Sequence, residues 1–474
     1  MKKTLLVFIF IVFIFSTGQS HPWKPEHYVI IDTDCGLDDF RAIRMMLESS
    51  NIRILAITTS NGVVNAEDGY DKVKDLLHTT HHEGILVGAN NNTESKIIDC
   101  EAAKKFNWGK NEYHKNKKGE GYTEVLNKVF ENDSKEIIFI NLGSLNTIAS
   151  YFSKNSEHKK SIKEVLWTSD FHNHSNDFNY RLDTHSYHSL IDLNLSLTFI
   201  HNQTNRLYKD NWIAHFNETG SVLGEHILKS LEQPNHTMAK NLYDEAAFLY
   251  LIKPDFFAST LKEEILQVEL KANPESIKLT MDSIFSSHII NTQAFSRFPE
   301  EKSDYIEDIR EIMPEAIRNW GKDEWAVCVL TCEIHRHVGV YTLIGAKMGV
   351  RAREYFGAGL DELRVVSYAG LEPPFSCLND GLQVSTGATL GHGLISVQED
   401  SKIPQAEFYY LGQKITISLK EEYKTQVASK IQELSYLHGL DSNIYWDFVR
   451  DIAINCWKDW DRHEIFEIKK QTRK

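Results

Sequence analysis

The stretch YVIIDTDCGLDDFRAI, residues 28–43, places four aspartates within eight positions, directly after a run of β-branched residues. They are Asp32, Asp34, Asp38 and Asp39. One or two acidic residues are ordinary near a helix N-terminus. Four carboxylates repel one another by roughly 1 kcal/mol per close pair unless a cation or a shared proton relieves them. The spacing therefore predicts a cation site, kept either for a reaction or for structure alone.

The pattern around these aspartates predicts the scaffold that holds them. Apolar runs rich in β-branched residues alternate with segments of helical spacing, which is typical of an α/β domain with a mostly parallel open sheet flanked by helices. Ligands of such sheets bind beyond the carboxyl ends of the strands, and the aspartates fall at such an end. The predicted strands are Tyr28–Asp32, Ile52–Thr59, Ile85–Val87, Ile137–Leu142 and Ser196–His201, and the predicted helices include Asp39–Ser49, Asp68–His78 and Tyr122–Glu131.

The segment DTDCGLDDFRAI resembles the DTDPGxDDxxAI signature of the inosine-uridine preferring nucleoside hydrolases, with Cys35 where that family has proline. Three further motifs follow in the family's order: Asn141–Ala149 resembles GPLTNIA, Asp177–Asn179 resembles EFN, and Tyr243–Ala247 resembles HDPxAA. The resemblance covers roughly Tyr28–Asp308. It implies a nucleoside-hydrolase fold and a Ca²⁺-dependent enzyme that cleaves the N-glycosidic bond of ribonucleosides.

The resemblance also implies a ligand set for the metal. Calcium takes about six to eight oxygen ligands, and Asp34, Asp39, Asp244 and the backbone carbonyl of Leu142 would supply four of these positions. Asp34 would in addition act as general base on a water that the metal holds.

Other residues would bind the sugar. By the same resemblance, Asp38, Asp177 and Asn179 would contact ribose hydroxyls, where hydrogen bonds that strengthen as charge develops support an oxocarbenium-like transition state. The family's ribose-contacting asparagine is replaced near Val63, and Asn61 could substitute for it if the loop shifts.

The leaving-group side departs from the family. Tyr243 stands where the family has a histidine, and phenols ordinarily ionise only near pH ~10, so a tyrosine donates a proton weakly at neutral pH. The segment DFHNHSN offers His172 and His174 instead. Either histidine could serve as the acid, or both could be solvent-exposed loop residues.

From about Glu311 the pattern changes, and it predicts a smaller C-terminal α+β domain in which Gly381–Val384 is one of the strands. HRHVGVYTLIGAKMG and CLNDGLQVSTGATLGHG resemble two motifs of proteins related to a formylmethanofuran dehydrogenase subunit, although Gly339 and Ala388 replace two cysteines of that family. Four remaining side chains are possible ligands for a transition metal such as Zn²⁺. The alternative is a remodelled site that serves only as a partner or oligomerisation module. The possible ligands are His335, His337, Cys377 and His392.

Composition narrows the class of protein. A chain of 474 residues with 42% apolar residues can form two or three globular domains. The formal charge of −14 argues against a non-specific nucleic-acid binder. Six cysteines are too few for a disulfide framework in a chain of this length.

The first 20 residues, MKKTLLVFIFIVFIFSTGQS, combine two lysines, an apolar run and small polar residues. This is typical of a secretory signal peptide and too short for a comfortable membrane span. We therefore expect a signal over 1–20, a nucleoside-hydrolase-like domain over 24–312 and a second domain over 313–474. After cleavage the mature protein would be periplasmic or extracellular, without a membrane anchor; if the segment is not cleaved, it would instead act as an N-terminal anchor.

Three functions are compatible with the sequence. The first is an exported Ca²⁺-dependent hydrolase of a nucleoside or related N-riboside. The second is a non-catalytic protein that uses a Ca²⁺-ribose pocket to bind a nucleoside-like small molecule. In the third, the C-terminal domain carries a metal-dependent activity of its own. Both resemblances also predict a homo-oligomer.

Overall fold

The computed structural model describes residues 25–91, 96–97, 100–111, 113, 119–132, 135–173, 175–201, 222–231, 243–286 and 294–471. The predicted signal peptide and His174 lie outside the described residues. Within those residues, no helix is both long enough and apolar enough to cross a membrane.

The N-terminal half is built on an eight-stranded sheet. Its strands are β1 His27–Thr33, β2 Ile52–Thr59, β3 Leu86–Ala89, β4 Ile137–Asn141, β5 Ile162–Ser169, β6 Leu197–His201, β7 Phe257–Lys262 and β8 Ile265–Leu270. Their order across the sheet is β3-β2-β1-β4-β5-β6-β8-β7, and every neighbouring pair is parallel except β7 with β8. The predicted mostly parallel α/β sheet is confirmed.

Helices cover both faces of this sheet, and each face therefore packs into its own apolar core. Successive side chains of β1 point alternately into the two cores. Val29 and Ile31 pack in one apolar cluster, and Tyr28 and Ile30 pack in the other. The helices of this half are α1 Leu37–Glu48, α2 Ala66–Thr79, α3 Glu101–Lys105, α4 Tyr122–Asn132, α5 Asn146–Lys154, α6 Phe178–Leu182, α7 Thr184–Ile191, α8 Val222–Leu231, α9 Glu245–Ile252 and α10 Pro274–Ser286.

The C-terminal half contains a second, smaller sheet, as predicted. Its strands are β9 Arg364–Ser367, β10 Ile395–Val397, β11 Gln405–Tyr410, β12 Gln413–Leu419 and β13 Phe466–Gln471, in the order β10-β9-β11-β12-β13. Only β9 and β10 run parallel. Its helices are α11 Glu307–His335, α12 Val340–Phe356, α13 Leu378–Thr386, α14 Glu421–His438 and α15 Asn443–Asp459.

The segment predicted as a strand at Gly381–Val384 is instead part of helix α13. The backbones of helices α12 and α13 are in direct contact at Gly381. A Cβ atom added to Gly381 would lie 2.2 Å from the carbonyl oxygen of Thr342. Glycine, which has no Cβ atom, permits this close contact between the helices. The local sequence alone does not show that two helices meet here.

The predicted boundary between residues 312 and 313 falls inside α11. Ile309 and Met313, on either side of it, both pack in the apolar core of the C-terminal half, and so does Phe298. The boundary therefore stays a prediction, and these contacts favour a position before Glu307.

The two halves contact each other through the turn that follows α2. The backbone N–H of Gly84 donates to the carbonyl of Tyr355 at 2.7 Å, and Arg351 forms an ion pair with Glu83 at 2.7 Å. The rings of His81 and His463 stack with centroids 3.6 Å apart. This contact buries a titratable ring against cationic neighbours.

We expect His81 to make the protein sensitive to acid. Burial, followed by the charges of His463 and Arg351, lowers the pKa of His81 from its ordinary 6.5 to about 3, against an opposing effect of Glu354. The unfolded chain binds this proton more readily than the folded protein, so stability falls as the pH drops from about 6.5 towards 3. His81→Asn, which tolerates the left-handed backbone at this position (φ 61°), should unfold with a weaker pH dependence in that window.

The measurement is the denaturation midpoint of wild type, His81→Asn and His78→Asn between pH 7 and pH ~4. The exposed His78, in the last turn of helix α2 just before His81, provides the control. Equal pH slopes for wild type and His81→Asn would contradict the prediction.

Candidate active site

The central strand β1 delivers the aspartate motif to the carboxyl edge of the sheet. In register, Asp32 is paired with Thr58 on one side and with Asn141 on the other. Its buried carboxylate accepts hydrogen bonds from the hydroxyls of Thr58 (2.6 Å) and Ser60 (2.9 Å). Burial raises the pKa of Asp32 to about 7. Asp32 thus supports the loop from inside the sheet and does not line the cleft.

A cleft opens where β1 ends, and eight of the predicted site residues line it. They are Asp34, Asp38, Asp39, Leu142, Asp177, Asn179, Tyr243 and Asp244.

Three carboxylates from two elements converge in this cleft. One oxygen each of Asp38, Asp39 and Asp244 lies within 4.8 Å of the other two. Thr33 donates to Asp39 at 2.6 Å, and Thr168 donates to Asp244 at 2.5 Å. Burial, and then repulsion by Asp38, raises the pKa of Asp39 to about 6, while burial and the charge of Asp39 raise the pKa of Asp244. Buried oxygen ligands at this spacing suit a hard divalent cation.

Asp34 lies beside this group and is almost completely buried, with 2% of its surface exposed. Burial and the charges of Asp39 and Asp38 raise its pKa well above the ordinary value. The backbone N–H of Val63 donates to its Oδ2 at 3.2 Å. A Cβ atom on Gly62 would lie 2.0 Å from the same oxygen, so only glycine leaves room for this carboxylate.

Leu142 follows β4 and brings its carbonyl to the cleft. Nδ2 of Asn179 donates to this carbonyl at 2.7 Å and to the carbonyl of Thr168 at 3.0 Å. Both amide hydrogens of Asn179 are thus engaged, and its remaining group for a sugar hydroxyl is Oδ1.

The other predicted sugar-binding residues differ in position. Asp177 accepts from the N–H of Tyr180 (2.6 Å) and of Asp170 (2.7 Å), one with each oxygen, and it lines the cleft. Asn61 accepts from the N–H of Ala66 at 3.0 Å, where it supports the start of α2. Val63 lines the cleft and Asn61 does not.

The structure separates the candidates for the leaving-group acid. Tyr243 is partly buried and lines the cleft. His172 is exposed, its Nε2 contacts the carboxylate of Glu269, and it is not part of the cleft lining. His174 lies outside the described residues.

Sequence reasoning missed the ion pair between Arg41 and Glu245. Both side chains are completely buried, and the guanidinium of Arg41 on α1 contacts the carboxylate of Glu245 at the start of α9. Glu245 also accepts from the N–H of Tyr243 at 2.9 Å. The pair therefore fixes the helix that carries Asp39 against the segment that carries Asp244. Arg41 and Glu245 lie inside the two motifs DDFRAI and YDEAA, next to the aspartates. Their position in these motifs was the sequence signal from which the ion pair could have been predicted.

The predicted C-terminal ligands are only partly assembled. The rings of His335 and His337 lie 4.2 Å apart between centroids, and Nδ1 of His335 contacts Asp380 at 2.7 Å. None of the four predicted ligands belongs to a convergent group of three or more metal-ligating side chains in the described part of the chain.

His392 lies apart from Cys377. Cys377 precedes α13, whereas the ring of His392 contacts the carbonyl of Gly387 (3.0 Å), directly after the last residue of that helix. The nine residues of α13 separate its ends by about 14 Å at 1.5 Å per residue. His392 therefore does not join the other predicted ligands, and its ring instead lies 3.3 Å from Asp361.

The loop at Cys35 explains the departure from the family's proline. Cys35 has a φ of 65°, and its N–H donates to Thr33 Oγ1 at 2.9 Å. Proline fixes φ near −65° and has no N–H. We expect Cys35→Pro to reduce the free energy of unfolding by at least about 1 kcal/mol more than Cys35→Ala does, because alanine keeps both backbone features.

Urea unfolding of the two variants measures this difference. Cys35→Ala accounts for the loss of the buried thiol alone. Equal stability of the two variants would show that the loop tolerates the family's backbone conformation.

A second prediction concerns the buried ion pair. Arg41→Met leaves the Glu245 carboxylate buried without its cation and should lower the free energy of unfolding by about 3–5 kcal/mol. The double variant Arg41→Met/Glu245→Met should recover part of this loss, because it removes both charges. Denaturant titrations of the single and double variants test it, and a loss below about 1 kcal/mol for Arg41→Met would contradict it.

Solved structures of nucleoside hydrolases align with the N-terminal half. A purine-preferring ribonucleoside hydrolase from Gardnerella vaginalis is 15% identical, covering 53% of this chain and 96% of its own, with a TM-score of 0.43. The plant nucleoside hydrolase PpNRh1 is 15% identical, covering 56% and 100%, with a TM-score of 0.45. An inosine-uridine preferring nucleoside hydrolase from Bacillus anthracis is 13% identical, covering 54% and 98%, with a TM-score of 0.43. No curated protein sequence matches the chain.

Two protein families match the sequence itself and confirm both resemblances. The family described as "FmdE, Molybdenum formylmethanofuran dehydrogenase operon" matches residues 334–438. The family described as "Inosine-uridine preferring nucleoside hydrolase" matches residues 29–294. Since that match spans more than half of the 474 residues and includes every aspartate that converges in the cleft, this chain belongs to the inosine-uridine preferring nucleoside hydrolase family.

Proposed function

We propose that this protein is a Ca²⁺-dependent hydrolase that cleaves the N-glycosidic bond of a nucleoside or a related N-riboside. The observation that carries the proposal is the convergence of Asp38, Asp39 and Asp244 beside the buried Asp34. Family membership supports the reaction class, and the oxygen-only ligand set supports the metal.

The metal would be held by Asp34, Asp39, Asp244 and the carbonyl of Leu142. When bound, Ca²⁺ would supply positive charge that offsets the buried carboxylates and lowers the pKa of a water in the cleft. These residues fit the ion because their burial and mutual repulsion raise the pKa values of all three carboxyls, and a cation relieves that repulsion.

The chain's own residues then divide the chemistry. Asp34 accepts the proton of the attacking water as general base. Asp38 and Asp177 accept hydrogen bonds from ribose hydroxyls, and these bonds strengthen as positive charge develops on the sugar. The amide N–H of Asn179 orients the Leu142 carbonyl by donating a hydrogen bond to it, and Oδ1 of Asn179 accepts a hydrogen bond from the sugar.

The leaving-group side restricts the substrate. Tyr243 is a weaker proton donor than the histidine that it replaces. The proposed enzyme therefore favours N-ribosides whose aglycone leaves without strong acid assistance. The same substitution favours a second candidate function, in which the cleft binds a nucleoside-like ligand without cleaving it.

Export is part of the proposal and rests on the signal-like residues 1–20. A homo-oligomer is proposed from the family resemblance alone.

The decisive test is Asp34→Asn in the Ca²⁺-loaded protein. Loss of the general base should lower kcat by at least about 100-fold. Ribose should still bind, because the amide oxygen that replaces the carboxylate can still ligate Ca²⁺. Released ribose is assayed over a nucleoside panel, and ribose binding is measured by calorimetry on the same samples. The matched control is Asp192→Asn, an exposed aspartate that follows α7.

Each outcome is informative. Ribose release that disappears on chelation, returns with Ca²⁺ and is lost in Asp34→Asn would support the hydrolase. Nucleoside binding without release in wild type would favour the binding protein. Full turnover by Asp34→Asn would overturn the mechanism.

A further inference from the structure

A second group of metal-ligating side chains stands at the same edge of the sheet, on three adjacent elements. His172 lies in the loop after β5, His201 is the last residue of β6, and Glu269 lies near the end of β8. One ligand atom of each lies within 4.8 Å of the other two. We propose that these three side chains bind a divalent transition-metal ion of the zinc class, a site separate from the calcium ligands and independent of the proposed hydrolysis.

The sheet itself brings these residues together. His201 is in register with Ser169 at the end of β5. The neighbouring pair Ile200 and Val268 aligns β6 with β8, so residue 269 lies next to residue 201. The juxtaposition of His201 and Glu269 is thus set by strand pairing, and only His172 depends on its loop.

The aromatic ring of Phe171 packs against both imidazoles. Its centroid lies 4.6 Å from that of His172 and 5.1 Å from that of His201, and the two imidazoles are 4.9 Å apart. Phe171 is buried. A buried ring in contact with both histidines restricts the orientations that they adopt, which favours a preformed pair of nitrogen ligands.

The donor set selects the kind of metal. Two imidazoles and one carboxylate suit Zn²⁺ and similar ions, which are bound at about 2.0–2.2 Å. Two ligands of one such ion are therefore at most about 4.4 Å apart. The three ligand atoms already lie within 4.8 Å of one another, and the two exposed side chains, His172 and Glu269, have room to adjust. Calcium prefers oxygen ligands only, so the two sites of this sheet edge differ in metal preference.

Asp170 connects this group to the cleft. Its Oδ1 lies 3.3 Å from Nε2 of His201 and accepts from the backbone N–H groups of His172 and Asn173 at 3.2 Å. Metal-bound histidines commonly contact a carboxylate that orients the ring. Asp170 also lines the cleft and donates its N–H to Asp177. An ion at the three ligands would therefore fasten the segment that carries Asp177 to β6 and β8.

Without a metal ion, the contacts among these three side chains would add little to the stability of the folded protein. An exposed ion pair such as His172 with Glu269 contributes little to stability. A bound ion instead adds stability in proportion to its affinity for the folded state alone. The two alternatives therefore predict different responses to added metal.

The experiment uses the full chain, stripped with chelator and then saturated with Ca²⁺ to occupy the aspartates. Co²⁺ serves as a spectroscopic probe through its visible absorption, and Zn²⁺ binding is measured by calorimetry. We expect one tight transition-metal equivalent that raises the melting temperature. His201→Gln and Glu269→Gln should each weaken binding by at least about 100-fold, since loss of an orienting residue alone costs 10- to 100-fold.

Two controls locate the site. His185→Gln removes an exposed histidine on α7, and His335→Gln removes a predicted ligand of the C-terminal half. Both should bind Co²⁺ with unchanged affinity. Because Glu269 is exposed, loss of binding in Glu269→Gln with an unchanged melting temperature of the metal-free protein excludes misfolding as the cause. Absence of a tight equivalent, or unchanged binding in both ligand variants, would overturn the proposal.

Discussion

Burial of like charge is the constraint on which the N-terminal half depends. Asp34, Asp39 and Asp244 have at most 3% of their surface exposed. Carboxylates buried in this way either remain protonated or require a cation. The hydroxyls of Thr33 and Thr168 donate to two of them, but neutral donors cannot cancel net charge. The cleft thus has two stable conditions, protonated or cation-bound, and the surrounding fold must hold its ligands in place for the second.

That requirement explains the positions of residues that are not themselves proposed ligands. The proposed carboxylate ligands come from the loop after β1, from α1 and from the residue before α9, so these elements must keep fixed relative positions. The buried pair of Arg41 and Glu245 joins the two helices. Gly62 leaves the space that the Asp34 carboxylate occupies. These residues surround the aspartates because buried charge tolerates neither empty space nor a shifted partner.

The sequence predicted the sheet and most of the aspartate site because both have local signatures. The motif after β1 and the motif around Asp244 are contiguous in sequence. Strand β5 was missed because Lys163 and Glu164, near its start, read as a polar segment, and only its last five residues are buried. The segment at Gly381 was predicted as a strand because the local sequence does not show the close packing of α12 against α13. His392 was predicted to join Cys377 because the spacing does not show that a nine-residue helix lies between them. The close packing of two helices and the end-to-end length of a helix are properties of the folded chain that the motif spacing alone does not contain.

The two proposed sites at the sheet edge both bear on which residue could protonate a leaving group. Neither His172 nor His201 lines the cleft, so neither ring is placed to protonate a leaving group, whether or not it binds a metal ion. The described residue that lines the cleft at the family's acid position is then Tyr243, whose phenol is a poor acid at neutral pH. The proposed preference for an aglycone that leaves without strong acid assistance therefore rests on the tyrosine before Asp244, and not on whether the two histidines bind a metal ion.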